Sequence, residues 1–404
     1  MPCLFPNLQR LELGPEHLPF VSMFLAPQLD DVVLAPDETN VEDPEVMAAI
    51  SRLPEQSPNV SKLNMCAFAP SRLFNEMMAK LYPRLENLTS FTMCLVSISA
   101  ADLVSLASLP RLQSIRVTLA GWQDPSKAFS NRSRSMHPFR ALRHLDITLF
   151  SYKHAVRLLY YVRSPNLTVL QLHSRQPPTL GQVEKVIGVL TSPQMRCLRQ
   201  FRFSTQDRSP AAIADRTLTI ATLRPLFVLP LEVLDTNGFY IDVDDEDLNA
   251  MATAWPGMEE LWLSAYTGWG KHHPPRATIR GLLPFFRRCP NIKYIGYCMR
   301  TDVLGPSSGS WLYSRPGDGV ATENSVVLHV ADSLVYNVTE VASFLSDVCP
   351  NIRGIRCLWG DTKMVIPEDE DEDEDEAQEM HRSWDLVMKY VPHFVTVRMQ
   401  EREG

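Results

Sequence analysis

One hydrophobic pattern recurs along the chain. An aliphatic residue, often preceded by Pro and one more residue, is followed after two positions by a second aliphatic and after one more by a third. FPNLQRLEL at residues 5–13 is the first copy. APQLDDVVL, SPNVSKLNM, LPRLQSIRV, SPNLTVLQL, WPGMEELWL, CPNIKYIGY and CPNIRGIRC repeat it, and ENLTSFTM, FRALRHLDI, MRCLRQFRF, LPLEVLDT and VPHFVTVRM are looser copies. The first aliphatic of each copy falls at Leu8, Leu29, Val60, Leu88, Leu112, Leu142, Leu167, Leu198, Leu231, Met258, Ile292, Ile352 and Phe394. Most gaps between them run from 21 to 34 residues, with two longer ones of 60 and 42. That is the leucine-rich-repeat range, with room for a helix in the longer repeats.

The second and third aliphatics alternate with polar residues and so share one face of a short strand. Proline ahead of them ends the preceding element and has no N–H to give to a ladder. The stretches between copies carry apolar residues at helical spacing, as in SAADLVSLASL, YKHAVRLLYYV, TLGQVEKVIGVL, DDEDLNAMATAW, PRATIRGLLPFFRRC and NVTEVASFLSDVC. Several of them open on Ser, Thr or Asp, which cap helix N-termini. The pattern predicts an α/β fold. It is an irregular leucine-rich-repeat-like solenoid, with a parallel sheet on the concave side and helices on the convex side.

The standard repeat places Asn or Cys three residues beyond its third aliphatic, where it bonds the turn. Six clear copies here have Glu16, Phe68, Val96, Ala120, Phe150 and Arg175 at that place. The turns must therefore be satisfied in another way.

Two interruptions divide the pattern. The solenoid is expected over residues 1–366, with a Gly/Ser/Pro-rich loop insertion at 301–324 and a degenerate strand at 325–333. Residues 367–379 carry nine consecutive acids, Glu368 to Glu376, and are expected to form a disordered acidic loop held open by self-repulsion. Residues 380–404 then supply a last helix and strand. The chain carries a net charge of −8, but without the nine acids 39 basic residues face 38 acidic ones. No basic stripe suggests nucleic acid. No apolar run reaches the roughly 18 residues of a membrane span. The N-terminus lacks the basic and apolar regions of a signal peptide. Eight cysteines without a CxxC pair suit a reducing cytoplasmic or nuclear setting.

The phosphate-loop, dinucleotide-binding and zinc-protease motifs are missing from the sequence: there is no GxGxxG, GxxxxGK[ST] or HExxH. Adjacent His272 and His273 have no ligand-spaced companions, so no metal, and likewise no cofactor, is expected. The carboxylates of IDVDDEDL (241–248) lack the glycine and closing glutamate of a calcium loop, and Asp244 or Asp245 reads as a helix cap. Cys289 and Cys349 occupy equivalent repeat positions and suit a packing role. What remains is a non-catalytic binding surface. The residues flanking the strand aliphatics include Arg116, His144, Asp146, Gln171, His173, Arg202, Asp235, Glu260, Trp262, Tyr294 and Arg356. Arg, Trp and Tyr are the side chains that tend to anchor interfaces. Trp262 and Tyr294 fall in neighbouring repeats.

FPNL and SPNL repeats, then LLPFFRRCPNIKYIGY, then VTEVASFLSDVCPNIRGIRCLWG and a closing SWDLVMKYVPHFVTVRMQE, cover nearly the whole chain. In that order they resemble the repeat region of F-box/leucine-rich-repeat proteins of mushroom-type fungi. The resemblance implies a substrate receptor of a cullin-type ubiquitin ligase, whose repeats hold a protein target while an F-box docks a Skp-type adaptor. Repeats begin here at Leu4 or Phe5, with no F-box ahead of them, so adaptor docking is carried over to no residue. A stand-alone repeat scaffold is the alternative reading. A GTPase-activator-like repeat protein fits less well, because its acidic stretch is a tail and this one lies within the repeats.

Overall fold

The computed structural model describes residues 4–66, 72–119, 129, 138–162, 164–205, 217–266, 274–304, 316–360 and 372–403; for 94–96, 372–374 and 402–403 only the backbone is described. The chain divides into two compact units, Met1–Leu198 and Arg199–Gly404.

The first unit holds seven parallel strands in chain order: β1 (Arg10–Leu13), β2 (Asp31–Leu34), β3 (Lys62–Cys66), β4 (Ser90–Ile98), β5 (Ser114–Leu119), β6 (His144–Leu149) and β7 (Val169–Ser174). Each marker aliphatic lies two residues before its strand. Leu167, Leu170 and Leu172 of the seventh repeat are all fully buried. Each such side chain contributes roughly 1.5–3 kcal/mol by leaving water. Helices return the chain between strands, among them Ala100–Ala107, Tyr152–Leu159 and Leu180–Leu190. Ser99 caps the first of these in a reciprocal capping box with Asp102.

The second unit repeats the plan with β8 (Gln200–Thr205), β10 (Val233–Asp235), β12 (Glu260–Leu263), β13 (Tyr294–Tyr297), β14 (Val327–His329) and β15 (Gly354–Arg356), paired in parallel in that order. A separate two-stranded sheet joins β9 (Thr217–Thr219) to β11 (Tyr240–Asp242), outside the repeat frame. The degenerate strand at 325–333 is real: β14 fills the 60-residue gap between Ile292 and Ile352. Asp244 caps helix Asp245–Ala254 through the N–H of Asp247 at 3.0 Å, so the acidic run at 241–248 is a cap. Both units are thus stretches of irregular leucine-rich-repeat-like solenoid.

The missing turn asparagine has a substitute at the other end of the strand. Asn59 donates to the Pro27 carbonyl at 2.8 Å, Asn87 to Pro58 at 2.9 Å, and Asn351 to Glu323 at 3.0 Å. Asn324 donates in the same way to Pro290. In each case the P-N-[LV] asparagine, or its equivalent, reaches one repeat back along the leading ends of the strands. The backbone reinforces it there: Gln9 O accepts from both Asp30 N and Asp31 N, and the same forked bond recurs from repeat to repeat.

The C-terminus differs from the expected helix and strand. Glu372–Glu403 is one helix of 32 residues. VPHFVTVRM has strand-like alternation, but Trp384, Val387 and Val391, spaced three and four apart, are buried. A helix can hold that spacing on one face; a strand cannot. This face packs on helix Val338–Val348 and β15. Two indoles hold the junction, with Trp359 Nε1 and Trp384 Nε1 both donating to Ser333 O, at 3.0 and 2.9 Å. Arg398 donates to Ser343 O, Ser343 Oγ and Ser346 Oγ, each at 3.1 Å. Residues 372–379 of the expected acidic loop are therefore the opening turns of this helix, where carboxylates favour the positive end of the helix dipole. Residues 367–371 of that loop, residues 305–315 of the 301–324 insertion, and His272 and His273 lie outside the described residues.

Candidate functional site

The sheet side chains alternate between core and solvent side, and two clusters stand on the solvent side. In the first unit, the register aligns Arg116 with Asp146 and Asp146 with Gln171, and two residues on it aligns Thr148 with His173. Arg116 Nε donates to the Asp146 carboxylate at 2.6 Å, and His173 Nε2 lies 3.4 Å from its other oxygen. Burial works against the charge on Asp146, but His173 and Arg116 outweigh it and hold the carboxyl below its ordinary range. His144 begins the same strand. Burial lowers its pKa, and its Nε2 has no hydrogen-bond partner among the described residues.

The second unit carries a longer row. Its register runs Arg202, Asp235, Trp262, Gly296, His329, Arg356 across six strands, with Glu260 beside Tyr294 two residues before. Arg202 bridges two carboxylates, Glu260 at 2.8 Å and Asp235 at 3.5 Å. Trp262 stacks on Tyr294 at 5.8 Å and on Tyr266 at 5.4 Å. His329 meets Tyr266 edge-on at 4.7 Å and Trp262 at 6.1 Å. Gly296 makes room for this cluster: a Cβ there would lie 3.0 Å from the Trp262 ring. Trp262 is only 7% exposed, so it serves as the floor of the cluster. Tyr266, Tyr294 and the exposed Arg356 present more surface. Burial and the nearby positive charge of Arg356 hold His329 neutral, with its pKa down to about 4.

All eleven surface residues singled out from the sequence thus lie on the strands, in one of these two clusters. Two members escaped that reading. His329 belongs to the degenerate strand, which lacks the Pro and the first aliphatic of the motif. Tyr266 lies three residues beyond β12, where no periodicity applies. The row can offer aromatic faces, a bridged carboxylate pair and an exposed guanidinium to another molecule. Cys289 and Cys349 lie elsewhere, in the core, and burial raises their thiols to about 11 and about 12. Thiols so placed are packing groups. Among the described residues, no helix is long and apolar enough to cross a membrane.

No protein-family model and no curated protein matches the sequence. Solved structures do show a likeness. A chain of the Rad7–Elc1 complex of yeast is 12% identical, with 85% of this chain and 78% of that one covered at a TM-score of 0.49. The leucine-rich repeat-containing protein LegL7 of Legionella pneumophila is 12% identical, covering 93% and 96%, at 0.38. A protein from Bacteroides fragilis is 15% identical, covering 62% and 72%, at 0.39. These likenesses are loose, and the fold assignment rests on the strand register itself.

Proposed function

We propose that this chain is a non-catalytic protein-binding repeat domain, and that the row from Arg202 to Arg356 on the sheet of the second unit is where its partner sits. The contiguous cluster of Trp262, Tyr266, Tyr294 and His329, flanked by Arg202 and Arg356, carries the reading. Interface anchors are drawn from these residue types, and stacked rings lose little conformational freedom when a partner covers them. The finer reading is that of the target-recognition part of an F-box-type ubiquitin-ligase receptor, acting in the cytoplasm or nucleus. The order of the last three sequence segments supports it. The target is a protein, and no residue of this chain is assigned to a Skp-type adaptor.

The test compares tagged wild-type protein with a Tyr266→Ala, Arg356→Glu variant in affinity purification from fungal cells. The variant is expected to fold and to lose a defined subset of the proteins that the wild type retains. Identical recoveries from both would remove the face from the account. Direct binding of a purified Skp-type adaptor to this chain would contradict the reading that its repeats hold only the target.

A further inference from the structure

A cavity of about 320 Å³ opens at the leading ends of β13, β14 and β15 in the second unit. Asn291, Lys293, Tyr294, Asn324, Ser325 and Arg353 line it. We infer that this cavity is a carboxylate-binding pocket that takes an acidic side chain of a peptide partner.

Lys293 is already paired, its Nζ 2.7 Å from the Glu259 carboxylate. Arg353 has no carboxylate partner among the described residues, and its Nε is committed to Ser325 Oγ at 2.7 Å. That bond fixes the guanidinium and leaves its two terminal nitrogens as a fork of parallel donors. A planar carboxylate matches such a fork with two hydrogen bonds. The pocket therefore holds one uncompensated positive charge, which one carboxylate balances and a phosphate dianion exceeds.

The donors also include an asparagine released from structural duty. The side chains of Asn59, Asn87, Asn324 and Asn351 each bond a carbonyl of the preceding repeat, whereas those of Asn166 and Asn291, at the same place in their repeats, make no hydrogen bond among the described residues. Its amide is free to serve a ligand at the cavity. Tyr294 joins this pocket to the aromatic row, since the same ring stacks on Trp262. The inference rests on the peptide-binding reading above and adds the chemistry of one anchor: an acidic residue seated beside the residues that cover Tyr294.

The probe is a fluorescein-labelled hexaglutamate peptide, with hexaglutamine as control, read by fluorescence anisotropy at low salt. The wild type is expected to bind hexaglutamate in preference to hexaglutamine. A Lys293→Gln, Arg353→Gln variant, folded by circular dichroism, is expected to lose about tenfold in affinity, the scale of one lost charge-assisted contact. Acetate is expected to displace the peptide at lower concentration than inorganic phosphate at equal ionic strength. No preference by the wild type, unchanged affinity in the variant, or stronger displacement by phosphate each overturns the assignment. A Tyr266→Ala variant separates this inference from the face reading: it is expected to keep hexaglutamate binding. If the pocket variant binds as the wild type while Tyr266→Ala still loses partner proteins, the pocket alone fails.

Discussion

Gly296 tests whether the aromatic row is built as described. Its Cα lies between β12 and β14, and a Cβ added to it would stand 2.8 Å from Ala265 Cβ, 3.0 Å from His329 Cβ and 3.0 Å from Trp262 Cε3. Two of these atoms are anchored directly to backbone, and the third belongs to a stacked ring. None can swing aside as the tip of a flexible chain can. Overpacking of this kind costs about 1–3 kcal/mol. The lost backbone freedom of glycine returns about 0.5–1 kcal/mol to an alanine variant. Gly296→Ala should therefore destabilise the second unit by about 1–2 kcal/mol. Gly354, at the start of β15, has nothing within 4 Å of an added Cβ, so Gly354→Ala should be neutral or stabilise by up to about 1 kcal/mol. Urea unfolding followed by tryptophan fluorescence measures both, and near-ultraviolet circular dichroism reports the Trp262 stack directly. A Gly296→Ala protein as stable as Gly354→Ala, with an unchanged aromatic signal, would refute the packing of Trp262 over Gly296.

Other expectations follow from single contacts. His329 is held down to about 4 against an ordinary value of 6.5, so the unfolded chain binds the proton that the folded one refuses. Stability should fall as pH drops from 6.5 through 4, by about 3 kcal/mol in all, and His329→Gln should remove that slope in urea titrations at pH 7.5 and 4.5. Arg398→Ala leaves Asp347, whose side chain is 3% exposed, without the guanidinium 3.8 Å away, and removes three hydrogen bonds to Ser343 and Ser346. The C-terminal helix should lose about 2–4 kcal/mol of docking, seen as faster hydrogen exchange over Glu372–Glu403. Asn87→Ala breaks the bond to Pro58 O and strands Arg111, costing about 1 kcal/mol, whereas Asn291→Ala should leave the melting temperature unchanged.

Most strands were legible because three apolar residues at fixed spacing mark them. Leu29, Leu142 and Met258 announce their strands two residues ahead, and their burial is what the stacking requires. Helix positions were legible from caps such as Ser99 and Asp244. Phe394 misled because a Pro followed by alternating aliphatics looks the same ahead of a strand and inside a helix. The decision lay in Trp384, Val387 and Val391, whose partners on Val338–Val348 are distant in sequence. The site was legible as a set of strand positions but not as a cluster. Register alone brings Trp262, Gly296 and His329 together, and it is set by hydrogen bonds that no local pattern displays. The asparagine ladder was hidden for the same reason: the sequence places Asn59 and Asn87 directly before the marker aliphatics Val60 and Leu88, but does not show the carbonyl each one reaches.

The central claim is that a protein partner covers the sheet face of the second unit. Photo-cross-linking tests it most directly, with p-benzoylphenylalanine placed in turn at Arg356 and Tyr266 on that face and at Glu246 and Arg287 on the helices. The partner recovered by affinity purification is expected to cross-link from positions 356 and 266 and not from 246 or 287. Cross-links from the helix positions, with none from the face, would contradict the account.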